Sequence, residues 1–314
     1  MLTVYLDHNI VHYFVRGFLG SDAAEREALT RAMNAHPGLR IVVSDWNFLE
    51  PCWESDKETG QLPLIDRYST FLENLKPLYL PTVIEIKRAE MARLVFHQLG
   101  LPDTARPINV FNETFSQARV VSGLSEVLLG HTARDFMRYL IKHPPELQKY
   151  KSAQQTVLNA QLTIQRARAT GQYQDPSIQQ RIWREWFASM LPDRGPDNRF
   201  IERSRLQPLL DQFVTDPAIV LSACPAIRAE SLLSDARANT GGRNPQMTDA
   251  IDLMHSVPAL AYCDAFVCND GFVRECAKRV LKQTKRPMIV DKSLEASLDA
   301  LGVPSAQSGA GTLT

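Results

Sequence analysis

The chain has 314 residues, of which 44% are apolar and 22% are charged, and its 35 basic residues balance 35 acidic ones. This composition is typical of a globular protein with one large domain or two ordinary ones. Zero net charge excludes a protein that coats nucleic acid through bulk positive charge. No apolar run approaches the roughly 20 residues of a membrane span, and the first residues lack signal-peptide features. We therefore expect a cytoplasmic protein with no membrane partner.

The first hundred residues alternate between strand and helix signals. Residues 2–6 and 41–44 are short apolar, β-branched runs that predict strands. Pro51 falls inside the third predicted helix, where it should kink or restart it. The helices predicted here cover residues 9–19, 21–36, 45–55, 64–76 and most of 78–100.

The middle of the chain, residues 101–225, reads as helix after helix and carries a local excess of basic residues between Arg134 and Arg205. The clearest helices lie within 125–143, 150–171 and 174–191. The stretch "RIWREWF" places Arg181, Trp183 and Arg184 close together. Aromatic and guanidinium groups in this pattern suit single-stranded nucleic acid. The alternative is an amphipathic helix that buries its aromatic side chains.

The last segment returns to alternating helices and strands. A helix is predicted from residue 247, with an interruption at Pro258. A strand at 265–268, a basic helix, a strand ending at 291 and a final helix follow, and residues 303–314 read as a disordered tail. Strands that alternate with helices predict an α/β fold with a parallel sheet flanked by helices.

Acidic side chains follow the predicted strands. Asp7 ends the first strand, Glu50 lies in the helix after the second, and Asp270 follows the strand at 265–268. Asp252 lies one helix upstream of that strand. In parallel α/β sheets the working site lies beyond the carboxyl ends of the strands. We therefore expect these four acids to converge, which is unfavourable through mutual repulsion unless cations neutralise them.

Oxygen ligands without accompanying Cys or His favour Mg²⁺ or Mn²⁺ over zinc. Two such ions can activate a water and stabilise the leaving oxygen in phosphodiester hydrolysis. Asn9 is expected to hold a metal-bound water or to orient Asp7, and Ser44 to donate to the scissile phosphate or to cap a helix. The five cysteines include no CxxC pair and match no ordinary zinc module.

Four motifs taken together resemble the PIN-domain ribonucleases: "YLDHNIVHYF", "VVSDWNFLE", "DAIDLMHSVPALAYCD" and "FVCND". The resemblance implies a PIN-like parallel sheet and an acidic quartet of Asp7, Glu50, Asp252 and Asp270, with Asn9 and Ser44 in support. It implies RNA, single-stranded or structured, as the substrate.

Two residues depart from the family's pattern. His8 replaces a small hydroxyl residue after the first acid, and Cys268 stands where Thr is usual before the last acid. The implied organisation is a PIN-like domain in two parts, 1–100 and 226–302, separated by a large helical insertion at 101–225 and followed by the tail.

Several assignments stay open at this point. Asp249, one turn before Asp252, is an alternative ligand or a helix-start acid. Asp264 stands at the opposite end of its strand from Asp270 and is either a cap or ion-pair partner there, or a supporting member of the site. His255 is expected to be buried and hydrogen-bonded, and His8 to lie at the rim of the site.

The sequence thus predicts a Mg²⁺- or Mn²⁺-dependent endoribonuclease. A catalytically silent PIN-like module that binds RNA or protein is the main alternative. A toxin with an antitoxin partner is another, although no sequence feature points to that partner, and homo-oligomerisation is left open. A haloacid-dehalogenase-like phosphatase would need an acid at position 9, where this chain has Asn9.

Overall fold

The structure is a computed structural model. The predicted helix at 21–36, apart from its last residue, and the tail at 303–314 lie outside the described residues, as does most of the predicted helix at 150–171. In the part that is described, no helix is long and apolar enough to cross a membrane. The described residues are 1–17, 36–55, 62–102, 110–120, 132–149, 152, 155–156, 159, 163, 175–239 and 247–302.

A five-stranded, all-parallel sheet lies at the centre of the protein, and helices flank it, which confirms the predicted α/β class. The strand order is β3-β2-β1-β4-β5. The strands are β1 (Leu2–Leu6), β2 (Leu39–Val43), β3 (Leu78–Tyr79), β4 (Ala265–Val267) and β5 (Ile289–Asp291).

The described helices fall between and after these strands. Those in the first hundred residues are α1 (His8–Gly17), α2 (Trp46–Ser55), α3 (Leu62–Asn74) and α4 (Val83–Gln98). Those in the middle of the chain are α5 (Phe115–Val120), α6 (Ala133–Lys142), α7 (Pro176–Ala188), α8 (Arg203–Thr215) and α9 (Pro217–Ala223). The remaining described helices are α10 (Pro225–Ala238), α11 (Met247–Tyr262), α12 (Gly271–Thr284) and α13 (Leu294–Ala300).

β1 is the central strand and pairs with β2 on one side and β4 on the other. Val4, Tyr5 and Leu6 have no exposed surface, because neighbouring strands and covering helices enclose them. The pairing continues past the end of β1, where the Asp7 N–H donates to the Val267 carbonyl at 2.9 Å. The backbone of Asp7 is therefore fixed by the sheet.

The strand order places a topological switch point between β1 and β4. β2 and β3 lie on one side of β1, and β4 and β5 lie on the other. At such a point the connections leave the two adjacent strands in opposite directions, which opens a crevice beyond their carboxyl ends. The residues that follow β1 and β4 therefore line the place where an open parallel sheet binds its ligands.

The prediction that the helix from residue 247 is interrupted at Pro258 is wrong, because α11 runs without a break to Tyr262. Proline removes one helix hydrogen bond and crowds the preceding turn. Val257, Ala259 and Leu260 around it are all buried in the main core, and their packing offsets that loss.

Among the described residues, the buried apolar side chains form two clusters. The larger one surrounds the sheet and also takes in buried side chains of α5 and α6, such as Phe115 and Phe136. The second cluster joins the later half of α4 to α7, α8, α9 and the start of α10, with Phe187 and Phe213 at its centre. Since α4 and α10 contribute to both clusters, these two helices join the helical middle of the chain to the sheet.

Glu90 on α4 ties the two clusters together. Its carboxylate is buried and accepts hydrogen bonds from the backbone N–H groups of Ala226 at 2.9 Å and Ile227 at 3.4 Å. It also accepts from the hydroxyl of Tyr262 at the end of α11. One acid thus satisfies the first N–H groups of α10 and fixes α10 against both α4 and α11.

Replacing Glu90 with Gln should remove a pH dependence of stability. Burial raises the pKa of Glu90 to about 7, although its hydrogen bonds oppose the shift. The folded state therefore binds this proton more tightly than the unfolded chain, so the stability it contributes is complete below pH 4 and is lost as pH rises through 7. The wild type should lose on the order of 3 kcal/mol between these limits relative to Glu90→Gln.

Urea unfolding from pH 4.5 to 8 measures this difference. Glu275→Gln, an exposed position on α12, is the matched control and should follow the wild type. Parallel pH profiles for the wild type and Glu90→Gln would contradict the assignment.

Candidate functional site

The four predicted acids lie at the same edge of the sheet. Asp7 follows β1 directly, and Asp270 is the N-cap of α12, three residues after β4, where its Oδ1 accepts from the Val273 N–H at 2.9 Å. Glu50 lies in α2, which begins three residues after β2. Because α11 leads back into the start of β4, its first turns and Asp252 lie at the carboxyl edge.

The carboxylates at this edge act on one another electrostatically. Burial is the main cause that raises the pKa of Asp7, and the negative charge of Glu50 raises it further. Burial also raises the pKa of Asp252 to about 7, with repulsion from Asp7 and Asp270 adding to the shift. The Arg237 guanidinium, with Nη2 3.8 Å from Asp252 Oδ2, opposes it. These four acids therefore form a single electrostatic cluster.

Asp7 is held by a thiol. The Cys268 S–H donates to Asp7 Oδ2 at 3.4 Å, and burial raises the pKa of Cys268, which keeps it protonated as a donor. The Asn47 side chain connects the ends of β1 and β2 beside Asp7. Its amide donates to the Leu6 carbonyl at 3.0 Å, and its Oδ1 accepts from the Ser44 N–H at 2.8 Å. Cys268, noted in the sequence as a departure, is thus a weak hydrogen-bond donor to the first acid.

Two histidines flank the carboxylate of Glu50. His8 Nδ1 is 3.3 Å from Glu50 Oε2, and His255 Nε2 is 3.5 Å from Glu50 Oε1. A tyrosine hydroxyl contacts each ring: Tyr68 lies 3.0 Å from His8 Nδ1, and Tyr5 lies 2.5 Å from His255 Nδ1. Burial lowers the pKa of both histidines, which favours neutral rings beside Glu50.

These contacts decide the predictions made for the two histidines. His255 is buried and hydrogen-bonded, as predicted. The expectation that His8 lies at the rim is wrong, because its ring is buried between Glu50 and Tyr68.

The predicted supporting residues are in different surroundings. Ser44 is buried, and its hydroxyl is 2.7 Å from the hydroxyl of Tyr5, so it lies behind the acids and not at their open side. Asn9 is exposed at the start of α1. Asp249 lies in α11, but its side chain is outside the part of the structure that is described.

The inclusion of Asp264 among the supporting residues is corrected by the structure. Asp264 directly precedes β4, at the amino end of the sheet. Its Oδ2 accepts from both the backbone N–H and the hydroxyl of Thr3, each at 2.9 Å. Asp264 therefore fixes the start of β4 against the start of β1 and takes no part in the acidic cluster at the other end.

The three predicted nucleic-acid-binding residues lie on α7. Trp183 packs against the second apolar cluster and stacks on Trp186 with 5.4 Å between ring centroids, so the alternative of an amphipathic helix that buries its aromatic side chains describes its main contacts. Arg184 forms an ion pair with Asp211 at 2.7 Å, and Arg181 is exposed.

Both tryptophans also line a cavity of about 730 Å³. Leu253 and Met254, the residues directly after Asp252, line the same cavity. The cavity therefore adjoins the helix that carries the third acid of the cluster.

The acidic cluster matches a divalent cation in charge and in donor type, but its side chains are directed elsewhere. Within the described ranges, no three His, Cys, Asp or Glu side chains are arranged to bind one metal ion. Asp7 faces the Cys268 thiol, Glu50 lies between two imidazoles, and Asp270 caps α12. Binding a cation would require some of these carboxylates to turn toward one another.

Comparisons with known proteins give no relative. The chain matches no protein-family model, no curated protein and no solved structure.

The sequence did not predict three features of this site. They are the side chain of Tyr5, the side chain of Arg237 and the contact of His255 with Glu50. The spacing of Asp252 and His255, three apart on one helix, was the available signal, since residues at i and i+3 share a helix face. Tyr5 reads as an ordinary buried strand residue, and Arg237 lies on a different helix, so no local pattern connects either of them to the acids.

Asp252→Asn should gain stability relative to the wild type as pH rises, in the presence of a chelator. The pKa of Asp252 is raised, so the folded state gains stability from its proton at low pH and loses it as pH rises through about 7. The neutral amide removes this titration. We expect the free energy of unfolding of the variant, relative to wild type, to rise by roughly 2–3 kcal/mol between pH 5 and pH 8.

Chemical denaturation at the two pH values tests this expectation. Asp299→Asn, an exposed position on α13, is the control for the substitution itself. If the difference in the free energy of unfolding between Asp252→Asn and wild type is the same at pH 5 and pH 8, ionisation of Asp252 does not destabilise the folded state.

Proposed function

We propose that this protein is a divalent-metal-dependent ribonuclease of the PIN-like type, which hydrolyses RNA phosphodiester bonds at the carboxyl ends of β1 and β4. The observation that carries the proposal is the convergence of Asp7, Asp252 and Asp270 at the switch point of the sheet, where Asp7 and Asp270 both repel Asp252. Buried acids that repel are destabilising for the fold, and a bound Mg²⁺ or Mn²⁺ would neutralise them.

The fold supports the proposal in a specific way. The acids come from parts of the chain more than 200 residues apart, and they meet in a crevice where parallel α/β sheets bind ligands. The resemblance of the motif order to PIN domains implies that the same four acids would form the metal site. The two departures, His8 and Cys268, both contact members of the quartet.

Each residue has a role that its position allows. Asp7, Glu50, Asp252 and Asp270 would hold the cations, and His8 and His255 flank Glu50. A bound cation would lower the pKa of the attacking water and would place a positive charge beside the leaving oxygen.

Arg237 partly neutralises the negative charge of Asp252. Its side chain is 9% exposed, and its guanidinium also lies over the ring of Phe272, with 5.5 Å to the ring centroid.

RNA as the substrate is supported by the surface beside the acids. The cavity next to α11 is about 730 Å³, within the range of pockets that bind small planar groups. Trp183 and Trp186 line it, and so do Ser231 and Ser234 on α10. A base of a single strand bound along α11 would find aromatic surface for stacking in this cavity.

A catalytically silent module is the competing function, and one observation favours it. Asp7 and Glu50 already have partners in Cys268 and the two histidines, so a carboxylate cluster without a cation is partly satisfied. A silent module would bind RNA equally well with or without Mn²⁺ and would never cleave it.

Cleavage of RNA by the wild type and by Asp7→Asn tests the proposal. A mixture of unstructured and hairpin RNAs, incubated with Mn²⁺ at pH 8, should be cut by the wild type. Asp7→Asn removes one charged ligand at the centre of the cluster, so its rate should fall by at least about 100-fold.

Asp299→Asn, purified in the same way, should cleave as the wild type does, which shows that the loss of activity is specific to the acidic cluster, and loss of cleavage in Asp7→Asn excludes a contaminating nuclease. Equal cleavage by the wild type and Asp7→Asn would contradict the proposal. RNA binding without cleavage, whichever divalent ion is added, would contradict it too.

A further inference from the structure

The cavity beside α11 contains a buried ion pair. Lys87 on α4 and Glu230 on α10 both line it, and the Lys87 ammonium donates to Glu230 Oε2. The Lys87 side chain is 8% exposed and that of Glu230 is 16% exposed. A positive and a negative charge are therefore held side by side, largely out of water, in the wall of a mostly apolar cavity.

This ion pair is incompletely hydrogen-bonded. An ammonium group has three N–H donors, and a carboxylate has two acceptor oxygens. Among the described residues, the bond between Lys87 and Glu230 is the one hydrogen bond that either side chain makes. A buried ion pair compensates for its lost hydration when further hydrogen bonds satisfy the remaining donors and acceptors. The other Lys87 N–H groups and Glu230 Oε1 are therefore available to a ligand in the cavity.

Aromatic side chains lie next to this pair. Trp183 and Trp186 on α7 line the same cavity, and Lys87 Nζ is 5.9 Å from the centroid of the Trp186 ring. The charged pair and an indole ring are thus neighbours within one cavity. This combination suits a planar ligand that stacks on an aromatic side chain and has hydrogen-bonding groups along its edge.

Guanine is the RNA base whose edge matches the pair best. Its N1–H and its exocyclic amine donate side by side, and its O6 accepts next to them. A carboxylate can accept from both donors while an ammonium donates to O6. Adenine and cytosine have a single donor group on this edge, the exocyclic amine. Uracil has a carbonyl on each side of its one N–H, and one of these carbonyls would face the carboxylate and be repelled.

We infer that this cavity is a guanine-specific site, in which Glu230 accepts from N1–H and the amine of the base and Lys87 donates to O6. Trp183 and Trp186 provide the surface for stacking. Glu230 and Lys87 are then the residues that determine specificity. The inference deepens the proposed function and rests on it for the base's being part of an RNA, but recognition of the base itself requires no cation and no acid of the cluster.

Titration of the intact wild-type protein with the four nucleoside 5′-monophosphates, in the presence of a chelator, tests the inference. Because Trp183 and Trp186 line the cavity, a base bound there should change the tryptophan fluorescence, and calorimetry measures the affinity. Guanosine monophosphate should bind roughly 10- to 100-fold more tightly than the adenosine, cytidine and uridine monophosphates, since it alone makes the paired contact with a carboxylate.

Inosine monophosphate tests the contact with Glu230 without any change in the protein. Inosine keeps the N1–H and O6 of guanosine and lacks the exocyclic amine, so it loses one hydrogen bond to a charged acceptor. It should bind roughly 10-fold more weakly than guanosine monophosphate.

Glu230→Gln tests the residue itself. The glutamine amide presents an N–H₂ group where the carboxylate presents an oxygen, so one donor of the base would face another donor. Binding of guanosine monophosphate should weaken by roughly 10- to 100-fold. Glu275→Gln, the same substitution at an exposed position on α12, should bind as the wild type does.

Each result bears on the inference separately from the proposed function. Equal binding of the guanosine and adenosine nucleotides, equal binding of guanosine and inosine monophosphates, or an unchanged guanine preference in Glu230→Gln would overturn it. If Glu230→Gln does not fold, the comparison with inosine in the wild type decides. A wild type that cleaves RNA with Mn²⁺ but has no guanine preference would remove the inference and leave the proposed function intact. A guanine preference without cleavage would do the reverse.

Discussion

Carboxylates that share a buried crevice destabilise the fold that brings them together. Ionised acids in a poorly hydrated site repel one another, and each also loses hydration. Here the repulsion links Asp7 to Glu50 and links Asp252 to both Asp7 and Asp270. The rest of the site is best understood as the set of groups that tolerate or offset this repulsion: a thiol on Asp7, two imidazoles on Glu50 and a guanidinium on Asp252.

The fold itself brings these acids together. The central strand is enclosed on both faces, so the first polar side chain after it is delivered to the sheet edge with its backbone already paired to β4. The parallel neighbour on one side brings Asp270 to the same edge, and the neighbour on the other brings the helix of Glu50. Rigid elements therefore fix where the acids stand, whereas local hydrogen bonds decide where each carboxylate points.

Because the backbone is fixed and only hydrogen bonds orient the carboxylates, side chains are the parts of the site that would move if a cation bound. Turning Asp7 away from Cys268 breaks a weak hydrogen bond, and turning Asp252 away from Arg237 loosens a contact of 3.8 Å. Neither movement disturbs a strand or a helix. A cation could therefore reorganise the cluster through side-chain rotation alone, with the sheet unchanged.

Much of the fold was accessible from the sequence because its signals are local. Apolar runs ended by acids predicted β1 and β4, and the alternation with helices predicted the parallel sheet. The acids Asp7 and Asp270 followed from the same signals. The structure bears out their placement at one edge, while their role as metal ligands stays a prediction.

The errors have physical causes that a sequence does not display. Asp264 and Asp270 flank the same short strand, and periodicity alone does not say which of them a neighbour at Thr3 will bind. The predicted interruption at Pro258 failed because burial of the surrounding residues outweighed one lost hydrogen bond. The roles of Tyr5 and Arg237 depend on contacts between distant segments, and the same holds for the packing of Trp183 against a second apolar cluster.

The claim at the centre of this account is that a divalent cation relieves the repulsion among the acids. Thermal unfolding of the intact protein at pH 8, with increasing Mn²⁺ against a chelator baseline, measures that relief directly. Binding to the folded state alone should raise the midpoint with Mn²⁺ concentration, by about 5 °C or more well above the dissociation constant. A midpoint that stays the same with Mn²⁺ and with chelator would contradict the account.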